Sequence, residues 1–416
     1  MCLWLGVSIG PEHQLLAQTS ELATQPTAPV SEIEAANFTV SDQAKRIGFD
    51  VKKLNSIDRK LTTQQKKNEF VGCSALVYCD GEIVCYGEWG FQNQRKSIPV
   101  NRDTIFRIYS MSKPITSVAA MQLVERGKLD LDKPVETYLP EFANLKVLDG
   151  KREVAVKRKM TTRDLMRHTS GLTYGFFGDT AVDKQYRGAG VLVTDLNLST
   201  TVNKLAKIPL LYHPGTQFHY SASTDVLGRV VEVVSRQLLD EYLDKNVFTP
   251  LGMEDTFFSV PSEKQKRFAE LYKPDGKGGL SPASPLQSIR FYNPGNQYFS
   301  GGGGLCSTID DYLRFSKMLI GQGTANGNQI LKPQTLKQMF TNQLVDIERP
   351  AGRQFKFGLG FRIFPTGDYG WGGAAGTRFW VNPDKKMAIL FMTQIMPYGS
   401  RGLGESVKDA VYSALR

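Results

Sequence analysis

The stretch RIYSMSKPITSVAAMQLVE (residues 107–125) places Ser110, Ser112 and Lys113 where an apolar strand-like run meets an apolar helical one. From Ser112 to Arg126 the apolar positions recur with the period of a buried helix. Pro114 falls in the first turn, where its missing N–H costs nothing, and Gly127 ends the pattern. Residues three apart at a helix start share one face, so the Lys113 amine can reach the Ser110 hydroxyl. A serine becomes a useful nucleophile only when a neighbouring base takes its proton. The helix N-terminus adds unpaired N–H groups and a positive dipole end, which favour an alkoxide or oxyanion there. Serine is also a common helix cap, so the spacing alone leaves capping and catalysis both open. Ser112 either caps the helix or hydrogen-bonds within the site.

Working outward, QAKRIGFDVKKLNSIDRKLTTQQKKN (43–68) reads as an amphipathic helix. FVGCSALVYCDGEIVCYGEWGF (70–91) is two β-rich runs around Asp80-Gly81, a strong hairpin signal. TIFRIYS (104–110) reads as a short strand. MTTRDLMRHTSGL (160–172), residues 223–248 and STIDDYLRFSKMLIGQG (307–323) read as helices, with Thr161 a cap of the first. FGLGFRIF, TRFWVN and KMAILFMTQ return to strands before a closing amphipathic helix, ESVKDAVYSALR. The expected fold is α+β: an antiparallel sheet built from both chain ends and flanked by helices, plus a mostly α-helical insert. Residues 1–42 are expected to be a tail or signal remnant and 43–416 one domain. Within it the α/β part spans about 43–120 and 290–416, and the helical part about 121–289.

The chain has 416 residues, 41% hydrophobic and 22% charged, enough for a large core. No apolar run approaches the roughly 20 residues of a membrane span. The net charge is +10, but Lys and Arg are scattered, with no zinc-finger spacing or aromatic RNA-binding signature. A solvated basic face therefore fits better than a nucleic-acid partner. The cysteines Cys2, Cys73, Cys79, Cys85 and Cys306 form no CxxC and no paired framework. Cys73, Cys79 and Cys85 lie in strand-like runs and are expected to be buried small hydrophobes. With four His and no HExxH, the sequence implies neither a metal nor a cofactor. MCLWLGVSIG is apolar but short, and the polar stretch LLAQTSELATQPTAPVSE follows it. This tilts the expectation slightly towards a periplasmic or secreted protein. Oligomeric state is not legible.

A Ser-Lys pair still needs a group to protonate the leaving atom. PGTQFHYSASTDVLGRVVE (214–232) offers Tyr220, just ahead of a helix beginning near Ser223, though a core tyrosine is the commoner fate. Ser221 and Ser223 are alternatives for capping that helix. Near the C-terminus, GWGGAAGTRFWV (370–381) carries glycines that allow a backbone N–H close to a ligand, or form a tight turn around Trp371. His168, His213 and His219 fall near these motifs and are expected to be structural or pocket-lining. His219, next to Tyr220, is the one to test. The aromatic residues in TYGFFGDTAVDKQYRGAG (173–190) suggest an apolar lid.

Taken in order, SMSK, YSAS and WGG resemble the three motifs of the serine β-lactamase and penicillin-binding-protein superfamily. They most resemble its class C-like branch, closest to the family VIII carboxylesterases. MTTRDLMRHTSGL and GGGGLCSTIDDYLRF also look like family segments, and the similarity runs from about residue 45 to the end. The resemblance implies a β-lactamase-like fold, with Ser110 as nucleophile, Lys113 as base and Tyr220 as proton relay. It implies an oxyanion hole from the N–H groups of Ser110 and Ala374, with Trp371, Gly372 and Gly373 beside the substrate. Two positions depart from the pattern. Ala222 replaces the Asn of the second motif, and Trp371 the Lys of the third. Those polar groups help to bind a lactam and its carboxylate, so efficient β-lactam hydrolysis is in doubt. A Trp wall suits an apolar acyl or alcohol group better. The expectation is a serine hydrolase that cleaves carboxylic esters through an acyl-Ser110 intermediate. The alternatives are a β-lactamase or D-amino-acid peptidase with the same machinery, and a catalytically silent binding or assembly protein. The expected partner is a small-molecule ester or amide.

Overall fold

A computed structural model describes residues 37–191, 197–284, 292–350 and 354–416. Its centre is an antiparallel sheet drawn from both ends of the chain. We label the strands β1 (Asn37–Val40), β2 (Gly72–Cys79), β3 (Glu82–Asn93), β4 (Lys356–Phe357), β5 (Arg362–Ile363), β6 (Tyr369–Gly372), β7 (Arg378–Asn382) and β8 (Met387–Thr393). Their order is β1-β3-β2-β8-β7-β6-β5-β4, with the short strand Ile98–Pro99 beside β3. The β2–β3 hairpin turns at Asp80 and Gly81, both at positive φ, which matches the right-handed twist of the strands it joins.

The sheet is covered on both faces, and the strand sequences say why. Every residue of β8 is buried. Ala388, Leu390 and Met392 point into one cluster, and Met387, Ile389 and Phe391 into the other. This is the period-two alternation of a strand between two apolar layers. One layer contains α1 (Ser56–Lys66) and the C-terminal helix α8 (Leu403–Ala414). The opposite layer contains α2 (Ser112–Glu125) and α7 (Ile309–Ile320), and beyond them α3 (Thr162–Met166), α4 (Ala181–Ala189), α5 (Leu198–Leu205) and α6 (Ser223–Ser235). Helix α2 is buried from Ser112 to Leu123, so it is enclosed on every face, its polar residues included.

Several boundaries differ from the sequence expectation. Asn37–Val40 pair with β3, so the sheet starts inside the stretch expected to be tail; residues 1–36 lie outside the described residues. The helix expected over 43–68 is broken by left-handed Gly48 and by Asp50, whose carboxylate caps a new turn at Val51. The strand expected over 104–110 shrinks to Phe106–Arg107, because the chain then tightens into a turn of helix at Tyr109–Met111. The helix expected over 223–248 ends at Ser235, where Arg236 turns left-handed; a shorter helix resumes at Leu239–Leu243. FGLGFRIF is two strands, split by a turn in which the Gly358 N–H donates to the Phe361 carbonyl at 2.8 Å. The stretch expected to be mostly helical also holds two small hairpins, Lys146–Asp149 with Arg152–Ala155, and Tyr272–Pro274 with Leu280–Pro282. Among the described residues no helix is long and apolar enough to cross a membrane. Cys73, Cys79, Cys85 and Cys306 are free and buried.

Helix α8 is fixed to the sheet by a buried ion pair. Lys408 Nζ lies 2.6 Å from Asp368 Oδ2, and the Asp368 side chain is fully buried. Asn382 Nδ2 donates to Asp368 Oδ1 at 3.1 Å, and the Tyr412 hydroxyl donates to the same oxygen. Removing one partner strands a buried charge, whereas replacing both does not. We therefore expect Asp368→Ala to cost about 3 kcal/mol or more in urea unfolding. The double variant Asp368→Ala, Lys408→Met should recover a large part of that loss. Equal losses in the single and double variants would contradict the assignment.

Candidate active site

Tyr109, the residue before Ser110, has φ +43°, in the left-handed region that a bulky side chain avoids. Such a conformation costs on the order of 1–3 kcal/mol and persists only where its surroundings impose it. Here they do. The Ser112 hydroxyl donates to the Tyr109 carbonyl at 2.6 Å and accepts the Leu305 N–H at 3.1 Å. The Ile108 N–H donates to the Leu305 carbonyl at 3.0 Å, and the Met111 N–H to the Ile108 carbonyl at 3.0 Å. Ser112 is thus a structural clamp rather than a helix cap. The result is a sharp turn that sets Ser110 at the mouth of α2.

Lys113 follows within that turn and is only 2% exposed. Its Nζ donates to Ser110 Oγ at 3.3 Å and to the Gly302 carbonyl. It also lies 4.7 Å from the ring centre of Tyr220 and 5.3 Å from that of Tyr174. Gly302 is held by Asp225 in the first turn of α6, whose carboxylate accepts the Gly302 N–H at 3.2 Å and the Ser300 hydroxyl. Burial pushes the Asp225 carboxyl up, against the opposing effects of the Ser300 bond and the nearby Lys113 charge. A Cβ at Gly302 would stand 2.5 Å from the Asp225 carboxylate, so a larger residue there would push that carboxylate aside.

Tyr220 closes the other side. Its hydroxyl donates to Ser110 Oγ at 2.7 Å and accepts from Trp371 Nε1 at 3.4 Å. Aromatic rings surround it: His168 at 4.7 Å, Tyr174 at 5.3 Å, Trp371 at 5.5 Å and Phe177 at 5.9 Å between centres. Burial, and then the charge of Lys113, push the His168 imidazole well below its usual range, so it packs as a neutral ring. Ser221 and Ser223 do not cap α6 with their side chains. Instead their hydroxyls form a buried chain with Ser170, at 2.7 and 2.6 Å. Ala222 is fully buried.

Strand β6 brings the third motif alongside. A Cβ on Gly373 would lie 2.4 Å from the Ile108 carbonyl, so only glycine lets this strand end reach the turn before Ser110. Thr377 Oγ1 reinforces the approach with a bond to the same carbonyl at 3.3 Å. Ala374 comes next; it is exposed, and its N–H makes no hydrogen bond among the described residues. Gly372 sits opposite Arg378 in β7 and leaves room for that side chain. Trp371 packs edge-on against Phe357 at 5.3 Å.

The structure therefore brings Ser110, Lys113, Tyr220, Trp371, Gly373 and Ala374 to one place. His219 is not in the ring set around Tyr220. Its Nε2 pairs with Thr173 Oγ1 at 3.3 Å and its ring lies 5.3 Å from that of Tyr212, while His168 takes the place beside Tyr220. His213 accepts the Lys157 N–H at 3.3 Å and stays outside the site. Tyr174, Asp225 and Gly302 escaped the sequence reading as site residues. The signal available was the TYGFF run for Tyr174, and for Gly302 the GGGG run alone. Among the described residues no group of three His, Cys, Asp or Glu could hold a metal. One further serine pattern, GVSIG at residues 6–10, has the GxSxG spacing and lies outside the described residues.

Comparison with known proteins agrees with this geometry. The model of the family described as Beta-lactamase matches residues 57–411. Protein Rv1367c of Mycobacterium tuberculosis is 33% identical over 355 residues, covering 78% of this chain and 86% of that protein. Esterase EstB of Burkholderia gladioli is 30% identical over 379 residues, covering 84% of this chain and 92% of that protein. Among solved structures, EstCE1, described as a hydrolase with promiscuous acyltransferase activity, superposes with a TM-score of 0.73 at 25% identity. That match covers 89% of this chain and all of that one. With the fold, the Ser-Lys turn and a family match over most of its length, the chain belongs to the beta-lactamase family of the serine β-lactamase and penicillin-binding-protein superfamily.

Proposed function

We propose that the protein is a carboxylesterase working through an acyl-Ser110 intermediate. One observation carries the proposal: Ser110 Oγ lies within reach of Lys113 Nζ at 3.3 Å and of the Tyr220 hydroxyl at 2.7 Å. Lys113 takes the Ser110 proton as Oγ attacks the ester carbonyl. The Ser110 and Ala374 N–H groups hold the oxyanion of the tetrahedral intermediate. Tyr220 passes a proton to the leaving alcohol oxygen, and the proton on Lys113 replenishes it. Water then enters where the alcohol left, gives up a proton by the reverse path and attacks the acyl carbon. The acid departs and Ser110 regains its proton.

The surroundings favour an ester over a lactam. Trp371 and Ala222 stand where the superfamily's lactam binders have a lysine and an asparagine, so the polar groups that grip a lactam carboxylate are missing. The relatives called Esterase EstB and EstCE1 support the same reading. A second reading rests on the apolar rings beside Tyr220. An apolar alcohol held there competes with water for the acyl group, giving acyl transfer, as the description of EstCE1 states for that protein.

Ser110→Ala is expected to lower p-nitrophenyl butyrate turnover about a thousandfold or more. Wild-type turnover by that variant would refute the proposal. Nitrocefin turnover by the wild type should be far slower than ester turnover; comparable rates would favour the β-lactamase or peptidase alternative. Gly373→Ala should cut kcat about a hundredfold, the usual effect of losing one oxyanion donor, with a smaller change in KM. Full activity in Gly373→Ala would rule out Ala374 as the second donor.

A further inference from the structure

Phe176 and Phe177 are 60% and 63% exposed, a large apolar surface for adjacent residues. They are not on a loose loop. Arg187 on α4 donates to the Gly175 carbonyl and, at 3.0 Å, to the Gly178 carbonyl. Its other nitrogen pairs with Asp179. Asp183 accepts from Thr173 Oγ1 at 2.7 Å and from the Thr180 N–H at 3.0 Å. Gly175 is left-handed at φ +79°, and a Cβ there would lie 2.6 Å from Tyr186 Cβ. The loop is clamped to α4 at both ends, and the clamp presents both phenyl rings to solvent.

Their inner faces lead to the chemistry. Phe176 stacks on Tyr174 with 5.1 Å between centres, and Phe177 lies 4.5 Å from Phe176 and 5.9 Å from Tyr220. An apolar surface therefore runs from solvent to the hydroxyl that touches Ser110 Oγ. Tyr220 is the group that protonates the leaving oxygen, so whatever is bonded to that oxygen extends along these rings. The side chain of the preceding residue, Tyr109, belongs to a separate apolar cluster with Leu271, Ala283 and Ala375.

We infer that Phe176 and Phe177 form the binding platform for the alcohol half of the ester, selecting aromatic or other bulky apolar alcohols independently of the acyl chain. The inference rests on the esterase reading and specifies its substrate. Exposed rings of this kind gain their contacts only when a substrate covers them.

The test compares benzyl butyrate with methyl butyrate, which share an acyl group and have leaving alcohols of similar acidity. For Phe176→Ala, Phe177→Ala the benzyl-to-methyl ratio of kcat/KM should fall about tenfold. The loss should lie in acylation and not in breakdown of the shared butyryl-enzyme, from which the alcohol has gone. Phe176→Tyr, Phe177→Tyr should restore the ratio. If both esters lose activity equally, or neither does, the inference is overturned while the esterase reading stands. It is likewise overturned if the loss follows acyl length in a methyl ester series. If the wild type hydrolyses neither butyrate ester, the esterase reading fails and takes this inference with it.

Discussion

The left-handed backbone at Tyr109 is the constraint on which the site depends. A serine on a straight strand or inside a regular helix would not sit between a lysine one turn later and a tyrosine 110 residues on. The turn is imposed from three directions. Leu305 and the Ser112 hydroxyl hold it from behind, Ile108 anchors its start, and Gly373 closes on the Ile108 carbonyl from β6. The same contacts that strain the turn also bring the third motif to it. The large two-faced core makes such strain affordable, since a fold with α2 buried along most of its length can impose a few unfavourable dihedrals locally.

Around that turn the charges are arranged sparingly. Lys113 is almost wholly buried, yet among the described residues no carboxylate pairs with it directly. Its nitrogen is shared between the Ser110 hydroxyl and the Gly302 carbonyl. Asp225 acts one step away, holding the backbone that holds the lysine. A hydroxyl and a carbonyl thus hold the lysine nitrogen beside Ser110 in place of an ion pair. The neutral His168 and the rings of Tyr174 and Trp371 then provide a dry wall around Tyr220.

Much of this was legible in the sequence, for physical reasons. The fold class followed from Asp80-Gly81, from the apolar helix after Ser112 and from strands at both ends, all local signals. Ser110, Lys113 and Tyr220 were legible because each precedes or opens a helix, a position the sequence marks. Tyr174 and Asp225 were not, because their importance comes from contacts across the fold. Tyr174 meets Lys113 and Tyr220 through a loop pinned to α4, and Asp225 meets Gly302 across 77 positions of sequence. His219, singled out for a test because it adjoins Tyr220 in sequence, packs against Thr173 and Tyr212, in keeping with a structural role. Helix and strand ends were missed where one residue turned left-handed, at Gly48, Tyr109 and Arg236. Only the first of these is a glycine.

The most direct test of the account is to catch the acyl-enzyme. The wild type is mixed with p-nitrophenyl butyrate, quenched in acid within the first turnover and digested for peptide mass spectrometry. The account predicts a butyryl adduct on the peptide bearing Ser110, localised by fragmentation to that residue and lost as turnover completes. Ester hydrolysis with no adduct at Ser110, or with the adduct on another residue, would contradict it.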